Sequence, residues 1–548
     1  MPLRDNVTTW YWPRPIRSAP DEVKLLWAEL VPLVTHPIAR ARVHDLCFSA
    51  GVGNGRSHAV AAGRAYLGWV NTDLDTLHVT EGLVRAWTLS RQVGDAQLEA
   101  ETYDALLSFA EAQLAERGNP GTIIPLLEAL STSPRFAPPL TGDPSVAFLV
   151  EAARRLFRPS YLQVRLTAMM RRLASDDAAI ELANRAEIEA HLDEADRATV
   201  AAVRMHHLEL AAQTARRFGI RDLESQAVSQ LQSISPKELG LLQIQARSSL
   251  PAYLCEAFLR DFDEAHNWRE AIDHFLHTDS PTGDHARNVR AAQRQLEKPS
   301  LRHLFPTKRL GGHGMPQQTV AGEDDRLEEE LVSFEIIHSG TYGLWYSDAL
   351  SRVAVTFGVP PLEEMVTFFI DAYSCDARIA RAFAQALHLF WEGRVTAAAH
   401  LAVPKIETAA RALLLELDEP IYRVELGKSI GQFPGLGFLL AQLVRNGFHD
   451  DWERFLGTML LPRGENLRNL LAHGFVDELA PYRAALTLRA LGLMMLLSPP
   501  DAEVRDADVV RNHLRDPLAL ANRNGSRRVP IGLALRRAFF KGAARLFP

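Results

Sequence analysis

Cysteine is scarce in this chain. Its three cysteines, Cys47, Cys255 and Cys375, lie far apart in the 548 residues. Neither a disulfide framework nor paired metal-binding CxxC knuckles can be built from them, and a reducing, cytoplasmic compartment is the expectation. A bilayer-spanning run is missing too. The apolar stretch Leu486 to Leu497 is interrupted by Arg489 and is too short to cross a membrane, so it is expected to form a core helix. The opening residues, MPLRDNVTTWYWPRP, lack the apolar centre of a signal peptide. Charge of one sign is not in large excess: the net value is −7, so nucleic acid or an anionic membrane could be met only through a local patch. No membrane partner is expected. Alternating strand patterns bounded by turn residues are absent as well, which leaves an all-α fold class.

What the chain does contain is an ordinary globular mixture, 47% hydrophobic and 23% charged, at a length that suggests two or three domains. Ser18 and Asp21 have the spacing of a capping box, followed by Leu25, Leu26, Leu30 and Leu33 at helical intervals. Leu106, Phe109, Ala110 and Leu114 form another stripe, closed by Gly118 and Pro120. Ser90 to Glu99 echoes Ala215 to Glu224: Arg91/Arg216, Gly94/Gly219, Leu98/Leu223 and Glu99/Glu224 match. A glycine between two amphipathic helices suits an irregular helical-hairpin array, here expected as a scaffold over residues 1–296. Residues 297–325 are rich in proline and glycine and read as a linker. A second helical block covers 326–500. An extension, 501–548, carries ten basic and three acidic residues from Arg505 onward. Arg527, Arg528, Arg536 and Arg537 there are either a solvated helix face or weak RNA-backbone contacts.

Several segments imitate known sites and fail on spacing. Gly427-Lys428-Ser429 would end a P-loop, but Tyr422 stands where its first glycine belongs. Gly435-Leu436-Gly437 lacks a third glycine, and Gly51 to Gly55 follows no strand and reads as a helix–helix loop. His266, Glu270, His274 and His277 recur at helical intervals, yet a surface with scattered histidines gives the same pattern, and no metal or other cofactor is expected.

The segment Glu465 to Phe475 (ENLRNLLAHGF) differs from these. It sets Arg468, Asn469 and His473 among anchoring leucines. On a helix, Arg468 and His473 would lie about 140° apart around the axis and roughly 7.5 Å along it. An imidazole can move protons near neutral pH, a guanidinium can hold a phosphate in two places, and RNA brings its own 2′-hydroxyl nucleophile. One motif supplies one histidine, so a two-fold dimer would be needed to supply both proton-transfer groups. The same residues also suit an Arg/His pair that satisfies carbonyls at a helix junction.

Arg468 to His473 resembles the R-x4-H motif of the HEPN superfamily. Arg468, Asn469, His473 and Gly474 are similar to the RNxxxHG signature of one HEPN-like group of unknown function. Upstream, Leu389-Phe390-Trp391-Glu392-Gly393, His400, Pro404, Glu407 and Arg411 extend the resemblance, and an apolar helix from Ala484 to Leu497 completes it, over roughly 380–499. The resemblance implies a four-helix bundle that dimerises through the motif face and cleaves RNA without metal. Arg468 and His473 would then be catalytic, with Asn469 orienting phosphate or histidine. His400, Glu407 and Arg411 would support them from one helix face beside the core stripe Ala399, Val403, Ile406 and Ala410, with Pro404 starting or kinking that helix. Glu407 and Arg411 are alternatively a plain i,i+4 ion pair. The expectation is an endoribonuclease, in bacterial stress response or phage defence by family analogy, whose scaffold senses a protein trigger. The rival expectation is a non-catalytic interaction scaffold with a dimerising bundle.

Overall fold

The computed structural model describes residues 2–4, 9–11, 15–135, 144–235, 237–240, 252–298, 306–311, 314–425, 431–500 and 506–518. Helices dominate them, so the all-α class holds. The strands among them form two short antiparallel hairpins, Pro2–Arg4 with Thr9–Tyr11 and Thr307–Leu310 with Pro316–Val320. The chain folds as two compact units, Met1–Leu242 and Gln243–Pro548.

In the first unit each helix from Asp21–Leu30 to Arg221–Gln232 packs on the next along the chain, and several also reach the next but one. The echoed segments occupy equivalent places. Gly94 ends helix Thr76–Val93 and Gly219 ends helix Ala201–Phe218, both left-handed with φ of 68° and 74°. A side chain at either position would be strained. Across both turns the matched charges pair, Arg91 Nε with Glu99 Oε1 at 3.6 Å and Arg216 Nε with Glu224 Oε1 at 2.7 Å. The matched Leu98 and Leu223 are both buried. The echo is thus a repeated hairpin with a repeated ion pair. Buried Glu187 ties three successive helices together by accepting from Arg171 at 2.7 Å, Arg217 at 2.8 Å and the Thr167 hydroxyl at 3.0 Å.

The first helix corrects two expectations. Ser18 does not cap it: its hydroxyl donates to the Pro15 carbonyl at 2.7 Å, and Pro20 precedes the first turn. The leucine stripe is not covered by the described residues either, since Leu25, Leu26 and Leu33 are 64%, 52% and 73% exposed.

The second unit is organised around helix Pro481–Leu497, in which every residue from Ala484 to Leu497 is buried. A helix that is apolar all round needs cover on every side. Helices Glu323–Phe357, Ala377–Trp391, Val395–Glu416 and Trp268–His277 supply it. The expected scaffold boundary at 296 therefore moves: buried residues between Leu254 and Leu276 belong to the core of the second unit, and the chain divides near 242 instead. The expected linker contains the Thr307–Val320 hairpin. Eight helices fall between Glu323 and Leu497 among the described residues, more than the four expected. The long helix Glu323–Phe357 is tied to helix Asp450–Leu460 by a buried ion network. Arg454 Nε and Nη2 each donate to Glu335 at 2.7 Å, Nη1 reaches Glu328 at 2.9 Å, and the Thr458 hydroxyl donates to Glu335 at 2.6 Å. No single helix among the described residues is long and apolar enough to cross a membrane.

Two tests follow from the packing. Glu335 is fully buried, so Glu335→Ala leaves Arg454 short of its two-point partner. Denaturant unfolding should show a loss of about 3–5 kcal/mol, as for other broken buried pairs; an unchanged midpoint contradicts the network's role. In the first unit, His44 is buried with Nδ1 3.0 Å from His58 Nδ1. Burial, then the neighbouring His58 and Arg40, lower its pKa below the usual imidazole range. The folded state therefore favours neutral His44, and its contribution is complete above the unfolded pKa and declines as pH falls below about 6.5. Melting temperature should drop on acidification from neutrality, and His44→Gln should flatten part of that drop.

Candidate functional site

The segment carrying Arg468 is fixed before its chemistry begins. Helix Asp450–Leu460 ends in a tight turn in which the Glu465 amide donates to the Thr458 carbonyl at 2.7 Å and the Asn466 amide to Leu461 at 3.2 Å. Gly464 passes so close that an added Cβ would collide with that Thr458 carbonyl. Glu465 then pairs with Arg483 of the central helix at 2.8 Å. Asn466, buried and left-handed at φ 55°, turns the chain into the short helix Leu467–Ala472. Leu467 and Leu471 are buried in the main core.

On this anchored helix the polar groups divide into two sets. Arg468 Nη1 donates to Asn469 Oδ1 at 2.8 Å, and Nη2 to Glu407 Oε2 at 3.3 Å. Asn469 Nδ2 donates back to Asn466 Oδ1 at 2.8 Å. Glu407 also accepts from Arg411 at 3.4 Å, so one carboxylate, itself 18% exposed, sits between two guanidiniums. The structure thus brings together Arg468, Asn469, Glu407 and Arg411. His473 is not in that contact set. It follows the last helical turn, is exposed, and lies beside Phe475 with ring centroids 6.3 Å apart. His400 is likewise exposed and outside the contact set. Arg468 retains about a third of its side-chain exposure, 34%, so solvent reaches both the arginine and the histidine.

Pro404 does not start its helix: Val395–Glu416 runs through it. Having no N–H, it leaves the His400 carbonyl without its i+4 donor. The stripe Ala399, Val403, Ile406 and Ala410 is buried, which turns Glu407 and Arg411 toward the rim.

Sequence reasoning missed a group of rings next to this site. Tyr422, Phe433 and Phe438 are 52%, 45% and 36% exposed. Phe433 meets Tyr422 edge-on at 5.1 Å, Arg411 lies 5.2 Å from the Phe433 ring, and Arg423 lies 5.4 Å from that of Phe438. Paired backbone bonds of 3.0 Å between Arg423 and Gln432 hold the two segments side by side. A Cβ on Gly435 would lie 3.9 Å from Arg468 Nη2, which places this group beside the motif arginine. The available signal is aromatic residues interleaved with arginine across 411–438, and the glycines of the same stretch, which imitate phosphate loops, obscure it.

No contact joins the other described candidates to this set. His266 precedes helix Trp268–His277 rather than lying on it. His266 and His274 face Glu270 at 2.9 and 4.0 Å, while His277 Nδ1 lies 2.6 Å from the Asp273 carbonyl. No three potential metal ligands come together among the described residues. Gly427-Lys428-Ser429 and the tail arginines Arg527, Arg528, Arg536 and Arg537 lie outside the described residues.

Residues 19–102 match the family model of a domain of unknown function, DUF7380. No curated protein and no solved structure matches the chain. The family match lies within the first unit and does not include the Arg468 segment.

The turn before the motif is open to a direct test. Gly464→Ala forces a side chain against the Thr458 carbonyl and should cost about 1–3 kcal/mol. Hydrogen exchange should quicken across 461–475 before the rest of the unit responds; uniform exchange behaviour in the variant contradicts this account of how the motif is held.

Proposed function

We propose that the second unit is a metal-independent RNA-cleaving domain of HEPN type, acting when two copies bring their motif faces together. The observation that carries the reading is geometric. Arg468 and His473 stand at the two ends of one six-residue helix, both reachable by solvent, while buried leucines and a tight turn fix that helix to the core.

In this reading Arg468 holds the scissile phosphate. Its two contacts to Asn469 and Glu407 orient the guanidinium and leave donors free for phosphate oxygens. The 2′-oxygen attacks phosphorus as His473 of one copy takes its proton. The bond to the 5′-oxygen breaks, and that oxygen takes a proton from the same histidine of the second copy. A 2′,3′-cyclic phosphate and a 5′-hydroxyl result, and no water or metal enters the step. Tyr422, Phe433 and Phe438 supply exposed faces on which unpaired bases can stack beside the phosphate, which favours single-stranded RNA. The engagement of Arg468 by Glu407 favours a second reading, in which the pair is a structural tie in a non-catalytic dimerising scaffold.

Cleavage of a single-stranded RNA in EDTA by wild type, Arg468→Ala and His473→Ala decides between them. Enzyme requires cleavage by wild type and a loss of about a hundredfold or more in both variants. Phe433→Ala should raise KM more than it lowers kcat. Equal behaviour of wild type and the two motif variants selects the scaffold.

A further inference from the structure

A groove of about 620 Å³ in the first unit gathers three arginines, Arg40, Arg56 and Arg64, around Ser57, Val60 and Ala61. Arg40 comes from helix Pro37–Ala50 and the others from helix Gly55–Leu67, where 56, 57, 60, 61 and 64 recur on one face. All three arginines are exposed, and among the described residues no ion pair joins any of them to a carboxylate. Arg56 gives one N–H to the Val93 carbonyl at 2.6 Å, which steadies its guanidinium and leaves its other donors unused. The one acid on these two helices, Asp45, is already engaged by Arg85 at 2.9 and 2.6 Å and by the Tyr66 hydroxyl at 2.9 Å. No acidic side chain lines the groove.

Three exposed guanidiniums with no carboxylate among them leave the groove locally positive and suited to an anion. The positive groove also opposes the chain's overall charge of −7. Arg56 and Arg64 are eight residues apart, about 12 Å along the helix. Spread over that length and two helices, the three arginines offer donors to more than one phosphate of a chain. The floor of Val60 and Ala61 is small and apolar, and no aromatic ring lines the groove. Base stacking is therefore not offered, and recognition is confined to the backbone.

We infer that this groove binds a chain of successive phosphates, independently of the reading given to the Arg468 face. Nucleic-acid strands and inorganic polyphosphate share that chemistry, and two probes separate them: a labelled twelve-residue oligodeoxythymidylate, which has no 2′-hydroxyl for the Arg468 face to use, and tripolyphosphate, each titrated into the full chain. Arg40→Ala/Arg64→Ala is the test variant. Arg42→Ala is the control, because Arg42 lies on the same helix as Arg40 but outside the groove, 3.9 Å from Glu81. Circular dichroism checks that both remain folded.

The double variant should bind at least one probe about tenfold more weakly or worse, and should flatten the salt dependence of that binding by about one to two in slope. Arg42→Ala should bind as wild type. Loss for the oligonucleotide alone assigns a nucleic-acid strand, and loss for both assigns phosphate chains in general. Wild-type affinity in the double variant, equal weakening by Arg42→Ala, or no binding of either probe overturns the inference. A chain that cleaves no RNA but shows the double-variant loss retains this site, so the two readings fail separately.

Discussion

The second unit depends on covering one helix from all sides. Pro481–Leu497 has no polar face to give to water, so its neighbours must come from distant parts of the chain. Its one charge within the buried stretch, Arg489, is fully enclosed, with Nη2 on the Thr278 carbonyl at 2.7 Å, Nε on the Thr278 hydroxyl at 3.1 Å and Trp452 4.5 Å away. Burial lowers its pKa, partly offset by Tyr346. A buried arginine served by a carbonyl and a ring draws its surroundings to fixed positions, because loss of either partner leaves a desolvated cation. Thr278 and Trp452 are fixed in this way by the same side chain.

The candidate site inherits its position from that helix. Arg483 on its first turn holds Glu465, Glu465 leads into the left-handed Asn466, and Asn466 begins the six-residue helix with Arg468. Helix Val395–Glu416, which packs on the central helix, presents Glu407 to the same arginine. Arg468 is therefore held by contacts from two helices, while His473 and the rings at 422, 433 and 438 stay open to solvent.

Much of this could be read in the sequence, for reasons that differ by element. Leu486 to Leu497 was legible as core because a charge-poor stretch too short for a bilayer has few other uses. The echo at 94 and 219 was legible because a left-handed turn accepts glycine and the flanking charges pair across it. The placement of residues 252–296 was not, because local periodicity shows that a helix has an apolar face but not which distant helix covers it. Ser18 had the spacing of a cap, but Pro20 occupies the cap position. The ring cluster was not legible, since Tyr422 and Phe433 meet only when two loop segments pair backbones.

In the function proposed for the Arg468 and His473 face, RNA is broken by its own 2′-hydroxyl. Mass spectrometry of the termini left on a short single-stranded RNA is the most direct measurement of it. Such cleavage leaves a 2′,3′-cyclic phosphate, or its opened product, on one fragment and a 5′-hydroxyl on the other. A 5′-phosphate with a 3′-hydroxyl, or RNA recovered whole, contradicts it.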